Sequence, residues 1–299
     1  MDCDVAIIGC GPAGIQAAIH AARRKVSVVV IGKPENSAMA EACIENYFGV
    51  PGAMNGDLIL KNGMSQARIF GAKFLEKNII AASNAGERFS LITEDDEEIV
   101  AGAVIIATGI SRKSLGVPGE KQLFGKGVSY CAVCDCGFYR GKTVVIVGDE
   151  TEAAVSAELM TRYASKVYWV YTTIKASQNV VTKASNAGVE MINSGIKSII
   201  GSDKVESIIL DDDTSIRTDG VFIELGAKSS ADIAMDLDVI PQTDDSIKVN
   251  DMCETEIKGV FACGDVTGKP WQVARAVGQG CIAGTSAALY IKGASDDRS

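Results

Sequence analysis

Residues 4–31 read DVAIIGCGPAGIQAAIHAARRKVSVVVI, and this stretch decides the fold. Asp4–Ile8 is a short apolar strand. Gly9-Cys10-Gly11-Pro12-Ala13-Gly14 is a glycine loop, the Ala-rich run from Ile15 to about Arg24 is a helix, and Val26–Ile31 is a second strand. Gly9 permits a tight turn, Gly11 lets the backbone approach a pyrophosphate, and Gly14 lets helix pack on strand. The amides at the helix start supply donors to an anion. A lone GxGxxG is a weak signal; preceded by a strand, opening a helix and followed by another strand, it reads as a dinucleotide site. The acid that holds ribose hydroxyls in such units is missing, since its place falls at Gly32-Lys33-Pro34 with Glu35 beyond. The adenosine end must be held another way.

The pattern returns near the middle of the chain. Thr143–Gly148 is strand-like, Glu152–Tyr163 has helical periodicity, and Lys166–Tyr171 reads as the next strand, with β-rich sequence between the two units at Phe89–Ile92 and Ile99–Ala107. The expected class is α/β, with two Rossmann-like, three-layer nucleotide-binding domains. Near the end, Gly259–Asp265 is an apolar strand closing on Gly-Asp, followed by a helix through Ala283 to Ile291 and a polar tail, Lys292–Ser299, expected to fray.

Composition narrows the function classes. With 299 residues, 47% hydrophobic and 22% charged, the chain has material for one or two cores, and disorder, collagen and coiled coil are excluded. Lys plus Arg is 29 against 38 Asp plus Glu, a formal charge of −9, so neither nucleic acid nor an anionic membrane is an expected partner. Nine cysteines, odd in number and irregularly spaced, read as cytoplasmic thiols rather than a disulfide scaffold. The N-terminus lacks signal-peptide features, and no window approaches the ~20 apolar residues of a membrane span. The expected location is cytoplasmic. A single histidine, His20, argues against a Ser-His-Asp or Cys-His site and reads as a surface or packing residue.

Chemistry concentrates at Cys131-Ala132-Val133-Cys134-Asp135-Cys136. Two thiols two residues apart close a small disulfide ring with little loop entropy to lose, and such a pair cycles between dithiol and disulfide. Exchange needs a thiolate, and Asp135 is the candidate acid or base to pass the proton. A zinc site built on Cys131, Cys134 and Cys136 is the competing reading, but it supplies three thiolates where structural zinc takes four ligands, so no metal is expected. Cys136 is assigned no catalytic role. Cys3, Cys10, Cys43, Cys253, Cys263 and Cys281 read as small buried fillers.

With these residues in view, the chain resembles the low-molecular-weight thioredoxin reductases of the pyridine nucleotide-disulfide oxidoreductase superfamily over nearly its whole length. The matches are the Gly9–Gly14 loop, Glu45-Asn46-Tyr47 before a Gly-Val-Pro-Gly turn, Ile105–Gly109 (with Ala107, Thr108 and Gly109) leading to Leu115–Glu120, the Cys131–Asp135 motif, and Phe261–Asp265 with Gln272 and Gly278–Cys281. The resemblance implies FAD held by two discontinuous segments, 1–112 and 246–299, around an inserted domain, 113–245, that carries the dithiol. It also implies homodimerisation, thioredoxin as partner, and an inserted domain that rotates between flavin and partner. Besides the first glycine loop, Asn46 and Ala107–Gly109, it assigns Gly264 and Asp265 to the FAD diphosphate and ribityl chain and Gln272 and Val273 to the isoalloxazine. Cys131 becomes the thiol attacking the partner and Cys134 the one facing flavin.

The second glycine loop departs from the family. It reads Gly148-Asp149-Glu150-Thr151-Glu152-Ala153, with Glu150 where glycine would admit a pyrophosphate, and after the next strand come Thr172-Thr173-Ile174-Lys175 with no arginine for a 2′-phosphate. At ~5 Å and an effective dielectric of ~20 each carboxylate repels a unit anionic charge by about 3 kcal/mol, against about 8 kcal/mol for an entire micromolar site. Carboxylates at a helix start also satisfy its dipole. On either account the loop is not kept for NADPH, and the donor expected instead is reduced ferredoxin, with a deazaflavin-dependent or an NADPH-dependent thioredoxin reductase as the alternatives. Arg112, Lys113, Lys121, Lys126, Arg140 and Lys142 flank the dithiol as a candidate docking patch or as ordinary solvated surface, and Trp271 is a cover for the flavin, a docking residue or core. A dithiol oxidase and a non-enzymatic flavin redox sensor remain as other readings.

Overall fold

A parallel strand covered on both faces must be apolar at every position, and Val5–Ile8, Val28–Ile31 and Val104–Ile106 meet that condition. The computed structural model describes residues 1–110, 114–226 and 228–296. It divides into two compact units, Met1–Ser111 with Ser229–Ser299, and Arg112–Lys228.

The first unit opens with β1 (Asp2–Ile8), α1 (Pro12–Arg23) and β2 (Val28–Ile31). A small hairpin of β3 (Cys43–Ile44) and β4 (Met54–Asn55) leads into α2 (Gly56–Ile69), capped by the Asn55 side chain. Then follow β5 (Lys73–Leu75), β6 (Ile79–Asn84), β7 (Phe89–Thr93) and β8 (Glu98–Ile106). β1 pairs in parallel with β2 (Val5 opposite Val28) and with β8 (Val5 opposite Ala103).

The second unit holds β9 (Val128–Ser129), α3 (Ala132–Asp135), β10 (Thr143–Val147), α4 (Thr151–Met160), β11 (Lys166–Tyr171), α5 (Gln178–Asn186) and β12 (Glu190–Asn193). A meander of β13 (Ile196–Gly201), β14 (Val205–Leu210) and β15 (Ser215–Arg217) precedes β16 (Gly220–Ile223). The central sheet runs β12-β11-β10-β16-β9, all parallel. Alternation sorts its side chains: Val144, Ile146, Val167, Trp169 and Phe222 pack on the helices, while Val145, Val147, Val170, Val221 and Ile223 pack on the meander.

The chain then returns to the first unit with α6 (Ser230–Asp236), β17 (Val260–Ala262) and α7 (Val273–Asp296). β17 pairs in parallel with the C-terminal half of β8 (Val260 opposite Val104), whose N-terminal half pairs with β7. Val5, Ile7, Ala103, Ile105 and Phe261 face α1, α2 and α7; Ala6, Ile8, Val104, Ile106 and Ala262 face β6, β7 and α6. Residues 229–245, expected in the inserted domain, group with the first unit instead. Ile233, Ala234, Leu237 and Val239 are buried against that unit's sheet, and Asp236 accepts the Ala82 amide at 2.9 Å. The C-terminal helix continues past Ile291 to Asp296, into the stretch whose polar composition predicts fraying. The last three positions of that tail, 297–299, lie outside the described residues, as do Arg112 and Lys113 of the candidate basic patch.

Candidate functional site

Gly9 has φ +117°, and a Cβ there would lie 2.3 Å from the Ala107 carbonyl oxygen. A Cβ on Gly14 would lie 2.0 Å from the Gly9 carbonyl oxygen, so loop, α1 and the end of β8 are locked together by the lack of side chains. α1 starts at Gly11, which supplies no side-chain cap, with Pro12 in the first turn and no acid there. Its leading amides are thus left for an anion.

A second turn is built in the same unit. The Gly264 amide and the Thr267 hydroxyl both donate to Gln279 Oε1 at 2.9 Å, and Arg275 donates to the Thr267 hydroxyl at 2.8 Å and to the Gly268 carbonyl. Half-buried Asp265 has its carboxyl raised by burial, partly offset by Arg275. Just before α7, Gln272 Oε1 accepts from Asn46 Nδ2 at 3.0 Å across 226 residues of chain. Two residues singled out by the sequence thus meet. Gln279 stands within the Gly278–Cys281 match but was given no role there, and Arg275 was not singled out; the signal was a pair of polar side chains four apart on an otherwise Ala- and Gly-rich helix. Trp271 is exposed, with Lys269 Nζ 5.1 Å from the ring centroid, so it is not core.

In the second unit Cys131 and Cys134 form a disulfide, with Cα atoms 5.4 Å apart. Cys131 caps the short α3, its Sγ accepting the Cys134 amide at 3.2 Å. Ser129 brackets it, its hydroxyl accepting the Cys131 amide at 3.1 Å and donating to the Cys131 carbonyl at 3.3 Å. The preceding Tyr130 donates to Glu120 Oε1 at 2.6 Å, and the same buried carboxylate accepts from Ser114, Leu115 and Gly116. Burial alone would raise the Glu120 carboxyl, but the bonds from Tyr130, Leu115, Ser114 and Gly116 outweigh it and hold the group below its ordinary range. Asp135 is half-buried. Buried Cys136 donates to the Val133 carbonyl at 3.4 Å and packs in the core of its unit. Arg140 and Lys142 stand over the rings of Tyr163 and Tyr139, at 5.1 and 5.3 Å, and Lys121 and Lys126 are exposed.

The second glycine loop is occupied by its own acids. The Asp149 carboxylate accepts from the Thr172 amide at 2.7 Å, the Thr172 hydroxyl at 2.8 Å and the Thr173 amide at 3.2 Å. Glu150 stands at the N-cap of α4, 3.6 Å from Lys175 Nζ, and the Lys175 amide donates to the Asp149 carbonyl at 2.8 Å.

Residues 3–280 match the model of the pyridine nucleotide-disulphide oxidoreductases. The chain belongs to that family. It is 34% identical over 302 residues to the thioredoxin reductase of Bacillus subtilis (strain 168), covering 97% of this chain and 95% of the relative. Among solved structures it is similar to the atypical thioredoxin reductase TRi of Desulfovibrio vulgaris Hildenborough, with TM-score 0.82, 33% identity, and 97% and 98% of the two chains covered. It is also similar to a ferredoxin-flavin thioredoxin reductase of Clostridium acetobutylicum, with TM-score 0.69, 32% identity, and 98% and 99% covered.

As a member of this pyridine nucleotide-disulphide oxidoreductase family, the chain is a flavin-dependent disulfide oxidoreductase, and its cofactor is FAD. The residues fit the group. Beside Gly9 the Thr108 hydroxyl is buried with no hydrogen-bond partner, and α1 starts without a side-chain cap, so a neutral donor and a set of amides stand ready for a phosphate-bearing ligand. Most remaining thiols are inert: burial pushes Cys3 and Cys253 up to about 11 and Cys10 to about 12, and raises Cys263 further. Cys43, expected to be a buried filler, is exposed because it sits on the two-residue strand β3. Half-buried His20 lies 3.6 Å from Cys281 Sγ, between α1 and α7. Among the described residues no helix is long and apolar enough to cross a membrane.

Proposed function

We propose that this chain is a thioredoxin reductase that takes electrons from reduced ferredoxin rather than from a pyridine nucleotide, acting as a cytoplasmic homodimer. The observation that carries the proposal is the Asp149 carboxylate, which already holds the Thr172 and Thr173 amides at the loop where a dinucleotide would bind. A pyrophosphate entering there must displace a like charge and break its hydrogen bonds. The similarity to a ferredoxin-flavin thioredoxin reductase supports the same reading.

Bound FAD supplies the conversion between single electrons and an electron pair. The residues that would hold it are Gly9, Gly11, Pro12, Ala13 and Gly14 around the diphosphate, Asn46, Ala107, Thr108 and Gly109, Gly264 and Asp265, and Gln272 with Val273. Cys134 would receive the electron pair, and Cys131 would attack the disulfide of thioredoxin, its thiolate stabilised by the Cys134 amide. Asp135 would carry the proton between thiol and solvent. The unit that carries the dithiol, Arg112–Lys228, contains no histidine, the single one of the chain being His20 in α1.

Anaerobic mixing of the yellow protein with NADPH, NADH, reduced ferredoxin and reduced deazaflavin tests the proposal. Ferredoxin is expected to bleach the flavin band within the mixing time. Bleaching by stoichiometric NADPH, or none with ferredoxin, overturns it.

A further inference from the structure

The turn that follows β17 has a glycine at each end, Gly264 at φ +82° and Gly268 at φ +101°, both in the left-handed region. Such a segment is loose by composition, since glycine leaves the backbone more freedom than any other residue. Its main chain reaches the neighbouring segment through the Val266 carbonyl, which accepts the Ile247 amide at 2.8 Å. Both glycines are held instead by side chains of α7. The Arg275 guanidinium donates to the Gly268 carbonyl, to the Gly264 and Thr267 carbonyls at 3.4 Å, and to the Thr267 hydroxyl at 2.8 Å. Gln279, one helical turn further on, accepts the Gly264 amide at 2.9 Å. Inside the turn stands half-buried Asp265, whose carboxylate takes no hydrogen bond from the described residues.

We propose that Arg275, together with Gln279, is a positioning residue of the cofactor site: it sets the Gly264–Gly268 turn in the arrangement that presents Asp265, so that the ribityl half of the site is formed before FAD arrives. The inference rests on the reading that Asp265 takes the ribityl chain, and it is independent of the electron donor. Apparent affinity scales with the fraction of the protein already in its binding arrangement. A turn with two glycines, released from α7, spreads over many arrangements, and FAD must then order it on binding, which weakens the complex. A guanidinium suits the task, because its N–H groups point in fixed directions and one planar group can hold several carbonyls at once. Its charge acts in the same sense: burial raises the Asp265 carboxyl and Arg275 lowers it, which favours the ionised acceptor. The side-chain bonds of Arg275 and Gln279 go to the turn and not to the Gly9–Gly14 loop. Their loss should therefore spare a ligand that has no ribityl chain.

The test is calorimetric titration of the full-length, cofactor-free chain with FAD and, separately, with ADP, which carries no ribityl chain. Arg275→Met keeps an unbranched side chain and removes its charge and donors. It is expected to bind FAD about tenfold more weakly, the loss that follows if the freed turn holds its binding arrangement about one time in ten, and to bind ADP within about threefold of wild type. Asp265→Ala is expected to weaken FAD about tenfold as well. Adding Arg275→Met to it should weaken FAD less than about twofold further, since positioning an absent carboxylate has no effect. FAD affinity of Arg275→Met within about twofold of wild type, equal losses for FAD and ADP, or full additivity of the two substitutions overturns the proposal alone. FAD binding untouched by Asp265→Ala overturns the assignment of Asp265 to the ribityl chain, and the proposal falls with it. A measurement on the unaltered chain without FAD stands beside these. The Gly264 amide, bonded to Gln279, and the Gly268 amide, bonded to the Asp265 carbonyl at 3.0 Å, are expected to exchange their hydrogens at least about 100-fold more slowly than an unstructured peptide. Exchange at the unstructured rate would mean that FAD itself orders the turn, and would also overturn the proposal.

Discussion

At the start of α1 the loop Gly9–Gly14 leaves its amides uncapped and has no acid in the first turn, whereas at the start of α4 the loop Gly148–Ala153 carries Asp149, Glu150 and Glu152. Both follow a buried parallel strand, and both keep a glycine where a Cβ would strike a neighbouring carbonyl: Gly14 against Gly9, Gly148 against Glu224 at 2.0 Å. The packing requirement of a strand-loop-helix unit is therefore separate from the requirement of a ligand. The first can persist where the second is gone, because packing fixes only the glycines that touch backbone. The positions facing the anion are left to chemistry, and there the two loops carry opposite answers.

Writing the second loop's charge into the first should produce the largest effect. Gly11 has room for a side chain apart from the Ser37 hydroxyl, 3.3 Å from its ideal Cβ, so Gly11→Asp tests charge more than space. At an effective dielectric of ~20 the added repulsion of about 3 kcal/mol predicts flavin affinity about 100-fold weaker, read from the ratio of flavin to protein absorbance after gel filtration. The reciprocal change is smaller. Asp149→Ala deletes three hydrogen bonds at a half-buried site and should cost about 2 kcal/mol in urea unfolding; a fully stable variant would mean that the acid braces nothing. Glu120 sharpens the contrast between an acid that closes a ligand loop and one that fastens a chain segment. Its folded-state pKa is depressed, so its stabilisation is present above the ordinary carboxylate value of about 4.5 and is lost as pH falls through the lower folded value. Glu120→Gln should therefore cost about 1–2 kcal/mol at pH 7, and the gap to wild type should narrow below pH ~4; a gap independent of pH would refute the charged role.

The elements that could be read from the sequence are those whose signal is local. β1, α1 and β2, and β10, α4 and β11, follow from apolar runs and glycine loops, and the cysteine motif declares its own disulfide. What escaped depends on residues distant along the chain. Glu224 meets Ala132 only because β16 lies beside both β9 and β10, and Asn46 meets Gln272 only because the first unit closes on its C-terminal segment. The placement of 229–245 escaped for a related reason: α6 has seven residues, too few for a clear helical period. Asp149 shows a partial success, since its charge was legible at once while its hydrogen bonds to Thr172 and Thr173 required the coordinates.

β8 is shared between an early partner, β7, and a late one, β17, which arrives only after the whole second unit has been made. During synthesis the interrupted unit must therefore wait on the ribosome with one flank of its central strand unzipped, while the uninterrupted unit already has every strand of its sheet. The order of assembly is written into the topology: the guest is complete before its host.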